Sequence, residues 1–385
     1  MYYLHLPSWF PNDKMPFRGN FIEKHIAAIS MTHKCVTLRV VRKTDKFRNT
    51  EPCTALKNEN NITVEYYVKE RTSFLGKLRM KISEWYYYRK GMKTIEKKFS
   101  KPALIHLHVA LPLGIFAAKW SNKWKVPLVL TEHWSIYNQI NRLLLTPVQK
   151  RKLKKIFTLL SGVTTVSQEL SERIGELFPL KNSKVIYNVV NTELFVSQKS
   201  DQSPKKILHI STLNQDAKNF LGILEAISIL SVMRQDFVLE VVCEYKNLKA
   251  EAFVKEHRLE KFVHFLERMP EEQVAMKMGS CDFFLLFSNY ENLPCTILEA
   301  LSCGKPVLTT PVGGITEIIN EERGIFVEPK NVAQLSYKLD YMLQHYQTFN
   351  SEHARNFAVN NFSKDVINLK FAEFYSTILN KNHIK

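Results

Sequence analysis

"CDFFLLFSNYENLPCTILEALSCGKPVLTT" occupies residues 281–310. Its first eight residues form an apolar run of strand length, followed by a polar loop and a short segment with helical spacing. Pro294 suits a first helical turn, where its missing N–H costs nothing, and Asn292 suits the N-cap before it. Gly304 fits the position just past the helix end, and Pro306 forbids continuation, so the helix is expected over about 293–303. "KPVLTT" then reads as a second strand. Strand, helix and strand within thirty residues predict a βαβ unit, whose parallel strands must be buried on both faces.

The same alternation extends through the second half. "KKILHIS", "FVLEVVCEY", "FVHFLER" and "GIFVEP" read as strands, separated by the helical segments "NFLGILEAISILS", "NLKAEAFVKEHRL" and "PEEQVAMKMGS". In the first half the strand candidates are "YYLHLP", "CVTLRVV", "ITVEYYV", "ALIHLHV", "PLVLTEH", "GVTTVS" and "KVIYNVV". Helices are expected at Phe21–Ser30, Leu75–Phe99, Gly114–Trp124, Pro147–Ser161 and Gln168–Phe178. The polar stretch "SQKSDQSPKK" (197–206) suggests a linker. The expectation is an α/β protein of two Rossmann-like, doubly wound parallel-sheet domains, 1–196 and 204–362, facing a central cleft. A final helix, capped by Ser363 and running to about 380, is expected to pack back on the first domain.

With 385 residues, 45% of them apolar, the chain is long enough for two cores. Its six cysteines form no CxxC pair and none sits at zinc-finger spacing from histidine, which suits scattered reduced thiols and no structural metal. "MYYLHLPSWFP" lacks the basic and apolar regions of a secretory leader, and no apolar run reaches the roughly 18 residues of a membrane span. A cytoplasmic protein is expected. The net charge of +17 is unevenly placed: residues 1–190 hold 33 Lys+Arg against 13 Asp+Glu, and the remaining 195 hold 21 against 24. An anionic partner for the first half follows from that asymmetry.

The two carboxylates of the opening stretch are Glu291, just ahead of the helix, and Glu299, within it. The helix starts at the carboxyl end of a strand, where open α/β sheets bind ligands, and its free N–H groups favour an anion such as phosphate. An ionised carboxylate accepts two hydrogen bonds from a vicinal diol, so the pair suits sugar hydroxyls. Spacing alone would equally fit a surface loop acid and a solvated helix acid.

"FSNYENLPCTILEALSCGKPVLTTPVGGITEII" resembles the E-x7-E signature of retaining GT-B glycosyltransferases of family 4 (group 1). "KVIYNVVNTELF" resembles that family's hinge, "ILHISTLNQDAKN" its first donor-domain strand and phosphate loop, and "IHLHVALPLGIFAA" and "PLVLTEHWS" elements of its acceptor domain. The resemblance implies that Glu299 binds the ribose and Glu291 the donor sugar, with Asn292, Leu293, Pro294 and Cys295 around sugar and phosphates. Lys218 matches the phosphate-binding lysine. At Ser211–Thr212 the usual Arg is absent, so a bidentate phosphate contact is missing or comes from elsewhere. In the first domain, "PFRGNFI" resembles the Gly loop facing the diphosphate, where Gly19 lets backbone approach and Arg18 or Asn20 adds contacts. His133 matches a histidine beside the transferred sugar. His106 reads as a core histidine, and His108, at its strand end, as acceptor-lining or core. The implied reaction moves a sugar from a nucleotide diphosphate sugar to a hydroxyl with retained configuration, without a cofactor or metal, in polysaccharide or glycolipid assembly.

Residues 71–101 carry ten Lys+Arg and two Glu around Trp85 and Tyr86–Tyr88, and "KRKLKK" fills 150–155. Such helices suit an anionic membrane surface, hence a peripheral protein at the inner face of the plasma membrane taking a glycan or lipid-linked acceptor. Equally, they suit solvated basic helices whose aromatics pack on the core. A nucleic-acid binder is disfavoured because the aromatic and Gly-loop reading modules are absent. A dehydrogenase lacks GxGxxG and an NTPase lacks GxxxxGK[ST]. A sugar-nucleotide epimerase, a phosphorylase or a noncatalytic anion binder of the same fold are the alternatives.

Overall fold

The computed structural model describes residues 1–12, 15, 18–43, 53–138, 141–198, 203–243 and 245–383, with backbone alone at 53–57 and 382–383. The chain divides into two units. One comprises Met1–Val166, Ser171–Ile186 and Ile367–Lys385, the other Ser167–Leu170 and Tyr187–Val366. The division thus falls ahead of the polar stretch 197–206, of which 199–202 lie outside the described residues.

In the first unit the chain runs β1 (Tyr3–Pro7), α1 (Asn20–Ile29), β2 (Cys35–Lys43), β3 (Cys53–Asn58), β4 (Asn61–Lys69) and α2 (Phe74–Phe99). It continues through β5 (Leu104–His108), α3 (Gly114–Trp124), β6 (Leu128–Glu132), α4 (Pro147–Leu159), β7 (Gly162–Thr165), α5 (Gln168–Gly175) and β8 (Ser183–Val185). The sheet order is β3-β4-β2-β1-β5-β6-β7-β8. Seven strands are parallel; β3, absent from the expected elements, joins β4 antiparallel as an edge strand. Its sequence, "CTALKN", has little strand-like alternation, and only a short Asn-rich turn brings it onto β4.

Handedness sets which helices share a face. The step from β1 to β2 crosses the sheet one way, whereas β4 to β5 and onward to β8 cross it the other way. Right-handed crossovers therefore place α1 on one face and α2, α3, α4 and α5 on the opposite one. On the α1 face, the C-terminal helix contributes Phe371 against His25, at 5.2 Å between ring centroids, and Tyr375 against His106.

The second unit runs β9 (Lys205–Ser211), α6 (Gln215–Lys218), α7 (Phe220–Met233), β10 (Phe237–Cys243), α8 (Leu248–Glu256), β11 (Val263–Leu266) and α9 (Glu271–Ser280). Then come β12 (Phe283–Leu286), α10 (Cys295–Ser302), β13 (Val307–Thr309), β14 (Gly324–Phe326), α11 (Val332–His345) and α12 (Ser351–Phe362); the last helix, α13 (Lys364–His383), belongs to the first unit from Ile367 onward. The helices α11 and α12 go beyond the expected elements. All six strands are parallel, in the order β11-β10-β9-β12-β13-β14. Ile207, Leu239, Phe283 and Leu285 are fully buried and pack with Ile223, Leu224 and Ile227 of α7. After β11 the chain returns to the other side of β9, so the strand order reverses between β9 and β12. A doubly wound sheet binds ligands outside the carboxyl ends of the strands at such a point.

Candidate active site

The loops leaving β9 and β12 meet at that switch point and are stitched together. The Asn289 N–H donates to the Ala217 carbonyl at 2.7 Å, and Asn289 Nδ2 donates to the Asp216 carbonyl at 3.0 Å. These bonds bring Lys218, at the end of α6, against Glu291, and the two form a direct ion pair. Ser288 Oγ donates to the same carboxylate oxygen at 2.7 Å. Both partners are largely covered, with side chains 18% and 11% exposed. Coulombic attraction there is screened less than at an open surface, so the pair is a stronger constraint than an exposed one.

Beyond Glu291 the chain enters α10. Pro294 holds the N-cap position and Cys295 opens the helix, so the expectation of Asn292 as the cap is corrected. Asn292 lies in the loop ahead of the helix, where its carbonyl accepts from the Gly314 N–H at 2.6 Å in a loop–loop contact. Leu293 is held likewise, its carbonyl accepting from buried Asn188 Nδ2 at 3.1 Å. At the other end Gly304 takes φ +67°, with its N–H on the Leu301 carbonyl and the Lys305 N–H on the Ala300 carbonyl. That is the paired bonding of a helix ended by a left-handed residue, as "CGKP" predicts. Glu299 lies on α10 one turn beyond Cys295 and Thr296 and is 7% exposed.

Sequence reasoning missed the glycines that seat this loop. Gly313 has φ +59°, and a Cβ there would collide with the Glu291 carbonyl oxygen; one on Gly314 would lie 2.9 Å from the Asn292 oxygen. The "PVGG" run after β13 carries this signal, since two adjacent glycines behind a strand mark a close backbone approach. His209 was missed too. Buried in β9, it bonds the Leu285 carbonyl through Nδ1 at 2.9 Å and Ser211 Oγ through Nε2 at 2.8 Å. The carbonyl can only accept, so Nδ1 carries the proton and Ser211 donates to Nε2. Burial holds the imidazole pKa down at about 4. Ser211 Oγ also accepts the Leu213 N–H at 3.0 Å, so it is committed to the loop, whereas Thr212 is exposed at the sheet edge.

In the first unit Gly19 stands at φ +78° as the N-cap of α1, and a Cβ there would lie 2.8 Å from the Trp9 carbonyl. Arg18 is exposed; Pro16 and Phe17 lie outside the described residues. His133 follows β6, is 8% exposed, and packs at a tilt on Phe21, 4.6 Å between centroids. The preceding Glu132, buried and unanticipated, accepts from the N–H groups of Ala110, His133 and Trp134 and from Tyr137 Oη, at 2.8 to 3.0 Å. A carboxylate closing an apolar strand was the available signal. His108 is fully buried: Pro7 pairs with it across β1–β5, and its Nε2 lies 3.1 Å from His5 Nδ1.

Ligand atoms of His5, His106 and His108 lie within 4.8 Å of one another. Both His106 nitrogens are already engaged, with Tyr375 Oη and Thr131 Oγ1, each at 2.6 Å. His106 is thus tied to Tyr375 and Thr131 and stacks on His108 at 4.0 Å between centroids, while His5 and His108 bond each other. Burial holds all three imidazoles in the neutral form, with His5 lowered to about 3.

The family model described as "Glycosyl transferases group 1" matches residues 190–362, and that described as "Glycosyltransferase Family 4" matches residues 42–194. The chain belongs to the group 1 glycosyltransferases. Among curated relatives, the enzyme is 29% identical over 257 residues to an uncharacterized glycosyltransferase of Methanocaldococcus jannaschii, covering 66% of this chain and 68% of that one. It is 24% identical over 257 residues to a Bacillus subtilis glycosyltransferase named for teichuronic acid biosynthesis, covering 64% and 62% respectively. The matched region thus spans under two thirds of the Bacillus protein. Among solved structures, Anabaena HepE in complex with UDP superposes with a TM-score of 0.74 at 18% identity, covering 98% of this chain and 100% of that one. The fold is GT-B.

Proposed function

We propose that this glycosyltransferase moves a sugar from a nucleotide diphosphate sugar to a hydroxyl of a glycan or lipid-linked acceptor, with retained anomeric configuration. The observation carrying this reading is the Lys218–Glu291 pair, held where the strand order reverses and directly ahead of the α10 N-terminus. In this reading the diphosphate takes Lys218 as its counterion and the α10 N–H groups as donors. Glu291, released from Lys218, then accepts from the donor-sugar hydroxyls, and Glu299 accepts from the ribose. The bond from C1 to the diphosphate oxygen breaks as the acceptor oxygen bonds C1 on the same face. The acceptor proton passes to the departing phosphate oxygen. His133 and the backbone at Gly19 belong to the sugar and diphosphate side of this reading.

No metal is assigned a role in this scheme, because lysine and helix N–H groups can carry the leaving charge. The UDP bound to HepE and the polysaccharide role named for the Bacillus relative support donor and pathway class. The basic first unit supports a peripheral position at the cytoplasmic face of a membrane. The deciding experiment is calorimetry against UDP-, GDP- and ADP-sugars, followed by NMR of the product's anomeric proton in chelator. An inverted product sinks retention, and no binding to any nucleotide sinks the whole reading.

A further inference from the structure

Helix α2 carries two apolar faces. Met80, Met92 and Ile95 are buried against the sheet, with Gly91 close on Leu38 and Tyr66. On another side, Phe74, Leu78, Ile82 and Tyr86 follow at steps of four with Leu75 and Trp85 beside them, one stripe of about 120° by helical geometry. All six are exposed, from 38% for Trp85 to 86% for Phe74. Large apolar side chains scattered singly are ordinary on a surface; a contiguous stripe marks an interaction site.

The stripe is part of a wider layer. Trp85 and Tyr88 of α2 pack on Phe116 of α3, at 5.6 and 5.8 Å between centroids. Gly114 of α3 lets Ile156 of α4 approach closely. Hence α2, α3 and α4 lie side by side on the face opposite α1. Before and within α4, Leu143, Leu144 and Val148 are 81%, 71% and 60% exposed, and Lys150, Arg151, Lys152, Lys154 and Lys155 are all exposed. No acidic residue lies in α4, and α2 has eight Lys+Arg against two Glu. Each helix begins where the chain leaves the carboxyl edge of the parallel sheet, α2 five residues after β4 and α4 in the crossover from β6 to β7. Phe74, Leu75, Leu143 and Leu144 therefore sit at the ligand-binding edge of this unit.

We infer that this α2–α4 layer docks on an anionic lipid bilayer, inserting the Phe74–Tyr86 stripe and the Leu143–Val148 segment among headgroups. Charge complementarity selects the occupant: lysines and arginines flank the apolar residues and reach phosphates as the stripe enters the interface. The docked edge then faces a lipid-linked acceptor at membrane level. The docking deepens the peripheral position proposed above, and the acceptor assignment rests in addition on the transfer reading.

The test is co-sedimentation of the full chain with vesicles of phosphatidylcholine, with and without phosphatidylglycerol. Binding to the anionic vesicles is expected, weakened by salt and reduced at least roughly tenfold by Phe74→Ser/Leu78→Ser/Ile82→Ser. Lys150→Gln/Lys152→Gln/Lys154→Gln should lower it further. Circular dichroism and UDP calorimetry should be unchanged in both variants, since every altered side chain is exposed. Wild-type protein left in the supernatant, or a triple serine variant that still sediments, overturns the inference. So does light scattering showing a wild-type dimer that the serine variant dissolves, because the stripe would then join two copies. Vesicle binding without nucleotide binding would leave the docking standing and sink the transfer reading; the reverse would sink the docking alone.

Discussion

Lys218 and Glu291 lie 73 positions apart in sequence and form one ion pair outside the carboxyl ends of β9 and β12. Their positions depend on each other's loops: Asn289 ties the two together through Ala217 and Asp216. In the proposed reading, an anionic ligand arriving here would compete for Lys218 and free the carboxylate, coupling nucleotide entry to sugar recognition.

Lys218→Ala is expected to weaken binding of the nucleotide diphosphate about tenfold, near 1.4 kcal/mol, and to lower turnover by more. Glu291→Gln should leave nucleotide affinity within about threefold of wild type while lowering transfer roughly a hundredfold. Calorimetry and turnover on the two single variants and the double variant measure the coupling. Additive losses in the cycle would show that the pair does not act as a unit.

Glu299→Ala is expected to cost roughly tenfold in nucleotide affinity through loss of a charge-assisted bond to the ribose. The 2′-deoxy nucleotide should bind wild type about equally weakly and lose nothing more in the variant. A full additional loss on the deoxy ligand would place Glu299 away from the ribose.

Gly313→Ala confronts both a φ of +59° and the Glu291 carbonyl, so a loss of about 1–3 kcal/mol is expected, along with impaired donor binding. Gly175→Ala meets only Leu180 Cδ1 at 3.7 Å and should change stability by less than about 1 kcal/mol. Urea melts of the two variants check the contrast; equal destabilisation would refute it.

Burial keeps His5, His106, His108, His133 and His209 neutral, with His5 lowered to about 3 and His209 to about 4. Their ordinary value of 6.5 belongs to the unfolded chain, which therefore binds more protons between the two limits. Stability is full above pH 6.5 and falls as pH drops toward the folded values, by about 1.4 kcal/mol per pH unit for each titrating histidine. Thermal melts at about pH 7.5, 6.5 and 5.5 should show a steepening decline. A flat melting temperature across that range would mean that these rings are hydrated.

Much of the architecture was legible because it is local. "CDFFLLFS" and "KPVLTT" are apolar runs too short for anything but buried strands, and Gly304 with Pro306 ends α10 by backbone geometry alone. Gly114–Trp124 emerges with both expected boundaries. Asn292 is not the cap because α10 starts only at Cys295, leaving Asn292 in the preceding loop, where its carbonyl accepts from the Gly314 N–H. β3 escaped notice because an edge strand with weak alternation is defined by its partner.

Residue spacing and turn chemistry determined where the strands and helices of this protein lie, and its composition determined that one half would be basic. Folding in three dimensions decided which polar groups meet and which faces stay uncovered. His108 is buried beside β1, an enclosure that spacing does not record; Phe74–Tyr86 has the period of a core face, yet among the described residues its apolar side chains stay exposed. Periodicity records that a side chain is apolar or ionisable. Burial and pairing depend on the neighbour brought to it, as Lys218 to Glu291 and Tyr375 to His106.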